Sequence, residues 1–357
     1  MDVDLMMNRV FLTDKDIKDN LFPFTLTRSA ADLRIGILTI REKWNYYLGG
    51  KIALTDEAET LPADAKILRA NIVPSEAFFL SLLKDGKISD NPLWNSVKII
   101  QYPWHVFMWN DWAIREDFIT ITKGRDSQTI PETVQVNNPA EIFIEPGAKL
   151  SHCILNASTG PVYIGKNAEI MEGSLLRGPV AVCEGAVVKM GSKIYGATTI
   201  GPYSIVGGEI KNSVLFGYSN KAHDGYLGDS VIGEWCNLGA GTSNSNMKNN
   251  VSEVRMWSPS KKEMISTGII KCGLIMGDYS RAAINTSFNT GTMVGICANI
   301  FGEGKLPKFI PSFTWGNSGE EKYEFTKALN DILKWKKLKG HEVDEKEKTR
   351  LKLIFDQ

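Results

Sequence analysis

From residue 164 to residue 211 an apolar side chain returns at every sixth position: Ile164, Ile170, Leu176, Val182, Val188, Ile194, Ile200 and Val206. Four residues after each comes a mostly small one: Ala168, Ser174, Val180, Ala186, Ser192, Thr198 and Ser204, with Ile210 the exception. In a chain that is 43% hydrophobic, eight hits in a row at fixed spacing are not chance. An amphipathic helix would drift off a period of six. The period predicts a parallel β-helix, whose coils stack on one another and bury a shared interior. Three hexapeptides make one triangular coil of about eighteen residues. The aliphatic residue points inward and the small one sits at the corner. Gly165, Gly173, Gly185, Gly191 and Gly201 supply tight turns there. An ordinary glycine-rich β domain is the weaker alternative. The exposed ends of such a prism call for a cap or a partner.

The pattern returns twice. Tyr226, Ile232 and Leu238 share one phase; Met276, Ala282, Phe288, Val294 and Ile300 share another. Val206 to Tyr226 is twenty residues, two more than a coil, so an insertion is expected between 212 and 225. The second break, 244–272, is polar (SNSNMKNNVSEV) and reads as an excursion from the prism. Insertions in solenoids map to loops, and loops carry function.

Outside the prism the pattern changes. Residues 1–120 alternate strand-like runs (NRVFLT, ANIVP, VKIIQY) with helix-like ones (ADLRIGILTIREKWNYYL, SEAFFLSLLKDG), an α/β arrangement. Residues 121–141 read as a linker, 142–305 as the β-helix, and 306–317 as an extended exit. A charged helical tail follows, with Leu329, Ile332, Leu333 and Trp335 as its apolar stripe. It is expected to dock on the prism or on a neighbouring subunit, or to stay solvated.

Composition narrows the function classes. At 357 residues two domains are expected. Lys plus Arg and Asp plus Glu are both 41, so no basic face points to nucleic acid. The acidic start (MDVDLMMNR) lacks a signal-peptide core, and no apolar run reaches membrane-spanning length. Cys153, Cys183, Cys236, Cys272 and Cys297 never form a CxxC and read as small core residues, as expected of a reduced, cytoplasmic protein. Three histidine ligands at an interface, the requirement of a gamma-type carbonic anhydrase, are not offered by His152 and His223 alone.

His223 is the one histidine of the central repeats. By itself it reads more readily as a surface residue than as a base. Its place at the first break, after Lys221 and before Asp224 and Tyr226, favours the base, because imidazole removes protons near neutral pH. Lys193 and Lys211 lie three hexapeptides apart, so they are expected to stack on successive coils. Two stacked ammonium groups suit a phosphate; a solvated row is the bland alternative.

The stretch NKAHDGYLGDSVIGEWCNLGAGTSNSN resembles the acetyltransferase half of the bifunctional UDP-N-acetylglucosamine pyrophosphorylase/glucosamine-1-phosphate N-acetyltransferase family. It carries the histidine, the following tyrosine–Leu–Gly, the N-[IL]-G-A-G-T run and a later asparagine. The order TLTR…ADLRIGILTIREKW, EIMEGSLLRGP, KIYGATTIGP, GEWCNLGA resembles the family's shorter, Bacteroidetes-type form. The resemblance implies a left-handed β-helix, acetyl-CoA as co-substrate, a hexosamine-1-phosphate acceptor and a homotrimer with sites between subunits.

It places the general base on His223 and its orienting asparagine on Asn246. Lys193, Lys211, Tyr226 and Asn237 fall on the sugar-phosphate contacts, and Ala240 and Gly241 on the path of the pantetheine arm. Lys193 stands where the family has arginine, Met247 where it has tyrosine, and Asp224 follows the base; the family's basic carboxy-terminal arm is not evident.

In the amino-terminal domain, LFPFTLTRSAADLRIG resembles only the later part of a nucleotidyltransferase start. No glycine loop precedes it, for VFLTDKDIKDN holds no glycine. Arg28, Arg34, Arg41 and Lys43 are the candidates to bind a nucleotide or sugar phosphate by charge. NTP and Mg2+ are expected only if this domain is active. Asp14, Asp32 and Asp111 are the weak candidates for a metal ligand. A degenerate domain kept for assembly is the equal alternative. For the whole chain, a nucleotidyltransferase with a structural β-helix and a non-catalytic trimeric scaffold remain the competing readings.

Overall fold

A computed structural model describes residues 10–58, 60–85 and 97–357. The acidic start, MDVDLMMNR, lies outside them. Strands stack in parallel from Gln135–Asn137 to Phe309–Ile310, forming a three-sided β-helix. Its first strand, paired with Ile154–Asn156, lies inside the stretch read as a linker. All eight residues of the 164–206 period are at most 2% exposed and line one continuous interior. Successive coils are in strict register, with Ile164 on Val182 on Ile200 and Ile170 on Val188 on Val206. Of the corner glycines, Gly173, Gly185 and Gly191 take positive φ. Gly201 is needed for a different reason: a Cβ there would lie 2.0 Å from the Phe216 carbonyl oxygen of the next coil.

The expected insertion at 212–225 is absent. The coils there become shorter instead. Ile194 pairs with Ile210, sixteen residues on, and Ile200 with Leu215, fifteen on. Strands Glu209–Gly217 and Tyr226–Glu234 run around a corner without a separate turn. Four inward steps from Val206, through Ile210, Leu215 and Lys221, reach Leu227 in twenty-one residues rather than twenty-four. Counted on to Ile232, five steps take twenty-six residues rather than thirty, and in a six-residue period a loss of four and a gain of two produce the same phase. Ile210, the exception at the small position, is itself an inward residue, fully buried. Leu227, not Tyr226, points into the prism, which leaves Tyr226 facing outward.

The second break is an excursion. Arg255–Ser258 and Glu263–Ser266 form an antiparallel hairpin off the prism. Its neck is closed by a Met247–Lys271 bridge and by the Cys272 amide donating to the Asn246 carbonyl at 2.8 Å.

Each face of the prism has a different fate. One is covered by the amino-terminal domain. Its strands read as unbroken apolar triplets, IFI at 142–144, VYI at 162–164 and VAV at 180–182, buried on both sides. Their outward residues Phe143, Tyr163 and Ala181 meet Ile37, Ile114 and Phe118. Higher up, Val214, Phe216, Val231, Ile275 and Met293 join the amino-terminal core, as do Val254 and Met256 of the excursion. Burying each such large side chain stabilises the interface by about 1.5–3 kcal/mol. Asn110 pins the two domains: its Oδ1 accepts from Gly36, and its Nδ2 donates to the Ala197 carbonyl at 2.8 Å and Thr199 Oγ1 at 3.0 Å.

In that domain Val10–Thr13 is the middle of a parallel sheet, between Ala53–Leu54 and Lys66–Arg69. The helix Ile40–Leu48 starts at a Thr39/Glu42 capping box and stops at Gly49, whose φ is +69°.

The tail forms two helices, Phe325–Leu338 and Glu345–Phe355, which dock on this chain's own prism. They cover an edge where the rings of Tyr203, Tyr218 and Trp235 stack. Ile332 is buried there, whereas Leu333, expected in the apolar stripe, is 37% exposed. All five cysteines are free and buried.

Candidate active site

His223 sits on a turn at the open edge of the prism, between strands Asn220–Lys221 and Tyr226–Glu234. Its backbone is tied on both sides. Gly207 N donates to the Lys221 carbonyl at 2.7 Å and Glu209 N to the Gly225 carbonyl at 3.1 Å. From the coil above, Gly241 N donates to the Asp224 carbonyl at 3.0 Å, and Ser243 Oγ accepts from Tyr226 N at 3.0 Å. Gly225 is required: its φ is +122°, and a Cβ would lie 2.1 Å from the Thr242 carbonyl oxygen. The turn is therefore rigid while the His223 side chain is exposed. Ala240 and Gly241 lie in the corner stacked directly on this turn.

Beside it a buried carboxylate organises polar groups. Asp229 accepts from Asn212 Nδ2 at 2.7 Å and from Asn246 Nδ2. The same Asn246 nitrogen donates to the Tyr226 hydroxyl at 3.0 Å. Both amide hydrogens of Asn246 are thus engaged, which fixes the orientation of its carbonyl oxygen. Burial, reinforced by the charges of Asp229 and Glu209, pushes the Tyr226 phenol up to about 12, so it stays a neutral donor at neutral pH.

Lys211 is exposed on the same outer face, and its register partner is Gly228. The two lysines do not stack as expected. The shortened coil sets Lys193 opposite Glu209, leaving Lys211 two residues further along the strand. Lys193 instead shares a groove of about 210 Å3 with Arg177 and Tyr195. Asn237 lies on the adjoining face, in register with Asn220 and Arg281, and within one chain it does not join the Tyr226 cluster. Asn212, Asp229 and Arg177 were not singled out from sequence. Asp229 follows the recognisable Tyr-Leu-Gly run, but only folding shows that it reaches Asn246.

The amino-terminal cations are arranged differently. Arg28 bonds Asp278 and lies 3.1 Å from Glu234, clamping its loop to the prism. The Arg34 Nε donates to the Phe216 carbonyl at 3.2 Å. Arg41 makes bidentate bonds to Asp32 (2.6 and 3.0 Å) and Glu57 (2.9 and 3.2 Å). Lys43 is buried against Asp117. The four cations do not assemble into a phosphate site; each already holds a carboxylate or carbonyl. Arg28 and Arg41 do line a cleft of about 590 Å3 below the tail, but Glu234, Asp278 and Glu347 line it too.

The end of Val10–Thr13, where ligands approach a parallel sheet, opens on Asp14, Asp16, Asp19 and Asp56 with Lys15 and Lys18. Four carboxylates disfavour a polyphosphate there. The metal candidates are also engaged: Asp14 accepts from Ala30 N, Asp32 from Arg41 and Asp111 from Arg115. Among the described residues, no group of three or more His, Cys, Asp or Glu side chains could hold a metal ion. Among the described residues, those at this opening do not fit a nucleoside triphosphate with Mg2+.

An α/β module joined to a hexapeptide β-helix is the arrangement that emerges. Residues 10–79 match the sugar nucleotidyl transferase family. Over 271 residues the chain is 28% identical to a bifunctional sugar-1-phosphate nucleotidylyltransferase/acetyltransferase of Sulfurisphaera tokodaii, covering 75% of this chain and 55% of that protein. It is 33% identical over 217 residues to the bifunctional protein GlmU of Methanocaldococcus jannaschii, covering 60% and 46%. With GlmU of Synechococcus elongatus the identity is 28% over 196 residues, covering 52% and 38%. The chain is a relative of these bifunctional proteins and spans about half their length or less. Among the described residues, no helix is long and apolar enough to cross a membrane.

Proposed function

We propose that this chain is a transferase, an acetyl-CoA-dependent N-acetyltransferase acting on a hexosamine-1-phosphate, and that it works as a cytoplasmic homotrimer. The observation that carries this reading is the exposed His223 on a rigid turn, stacked under the small residues of Gly239–Thr242 and beside the Asp229–Asn246–Tyr226 network. The small corner admits the pantetheine arm to the backbone. His223 takes a proton from the acceptor amine as its nitrogen attacks the thioester carbonyl. The C–N bond forms, and charge on the carbonyl oxygen is met by nearby donors. The C–S bond then breaks, and the proton returns from the imidazolium to the coenzyme thiolate. Lys211 and Lys193 attract the sugar phosphate as point charges.

Thiol release from acetyl-CoA with glucosamine-1-phosphate tests the assignment. Replacing His223 by Ala is expected to lower turnover by about 10²–10⁴-fold, the usual worth of a general base. Unchanged turnover in that variant sinks the mechanism. A second reading, sugar-1-phosphate nucleotidyltransferase activity, is favoured by the family match over residues 10–79. The acidic opening after Val10–Thr13 opposes it.

A further inference from the structure

We propose that Lys221 is a positioning residue whose buried ammonium group holds the His223–Gly225 turn in place. The effect on catalysis rests on His223 being the base. Lys221 occupies an inward slot of the prism. Its neighbours in that column are Val188 and Val206 below and Leu238, Ala282 and Ile300 above, all buried aliphatics. Lys221 itself is fully buried. An aliphatic side chain would fill the slot without desolvating a charge. Burial lowers the Lys221 pKa to about 8, partly offset by Asp224, a sign of that cost.

Its geometry shows what the charge does. The Lys221 Nζ donates to the carbonyl of His223, to that of Asp224 at 3.2 Å and to that of Gly207 at 3.5 Å. The first two belong to the turn, and the third to the coil below. One ammonium thus fastens the turn to the preceding coil from inside the prism. Without a donor at 221, the inward-facing carbonyls must rotate toward solvent, and the imidazole moves with its backbone.

The test uses the full chain with Lys221→Met, which keeps length and removes the donor, and Lys221→Gln, which restores one amide donor. Hydrogen–deuterium exchange over residues 217–227, melting temperature, and acetyl-transfer kinetics are read together. In the Met variant, exchange in the turn is expected to quicken severalfold while other coils are unchanged, and the melting temperature to hold or rise. The kcat is expected to fall by about 10²-fold, the cost of a roughly 1 Å misplacement, with KM for acetyl-CoA within about twofold. Gln is expected to recover part of both losses, and it keeps the test alive if Met does not fold. Wild-type exchange and kcat in the Met variant would overturn the proposal. If the native chain transfers no acetyl group, the base assignment fails, while turn exchange still decides whether Lys221 holds the turn.

Discussion

Two regions of this chain carry cations suited to phosphate, and they use them differently. Around the amino-terminal sheet, Arg28, Arg41 and Lys43 are spent on Asp278, Asp32 and Asp117. At the open edge of the β-helix, Lys193, Lys211 and His223 remain exposed over a framework that other residues hold rigid. The same residue types act as struts in one place and stay available for a ligand in the other. What separates them is the neighbourhood. A carboxylate within bonding distance neutralises a cation before any ligand arrives, whereas Lys193 and Lys211 stand exposed on the outer face of their strands.

Breaking a strut has the largest expected effect. Asp117→Ala leaves Lys43 as a buried, unpaired charge, and such losses cost about 3–5 kcal/mol. Denaturant unfolding should show that loss, while acetyl transfer per folded molecule stays near wild type; an unchanged midpoint would remove Lys43 from the struts. Next comes Lys211→Ala. One charge-assisted contact to a phosphate is worth about 1.5–3 kcal/mol, so KM for the sugar phosphate should rise by about tenfold or more. Stability should move by no more than about 0.5 kcal/mol, as at other exposed sites. A strut-like loss of stability instead would erase the contrast between the two regions.

A smaller effect follows from pH. The Lys221 pKa is lowered in the fold, to about 8, so between pH 8 and 10.5 the unfolded chain binds more protons than the folded one. Stability contributed by this group therefore rises with pH across that window. The wild-type melting temperature should climb relative to Lys221→Met from pH 7 to 9.5, and parallel curves would mean that the ammonium is not desolvated. The last expectation is a null effect. Millimolar Mg-UTP should leave the melting temperature unmoved, since only a ligand that binds the native state raises it. A concentration-dependent rise would give the amino-terminal domain a nucleotide site after all.

The repeat made the prism legible because inward and outward positions alternate locally along each coil. The resemblance of the short motif, not the period, singled out His223, Tyr226 and Asn246, and the period misread the first break. Counting in sixes cannot distinguish four residues lost from two gained, and the shortened coil is what turns Tyr226 outward and separates Lys193 from Lys211. The docked face was written in the apolar triplets IFI, VYI and VAV, a signal that a search for period six passes over.

What the sequence determined alone was therefore the β-helix and its excursion at 244–272, set by spacing within a few coils, and the motif around His223, carried by one contiguous run of residues. The tertiary structure decided which charges are free and which are struts. Arg28 and Asp278 are 250 residues apart in the chain, and Lys43 and Asp117 are 74 apart. Only the docking of the amino-terminal domain on the prism, and of its helices on one another, brings such partners into contact. A side chain's charge is read from one letter, but its availability depends on what folding places beside it.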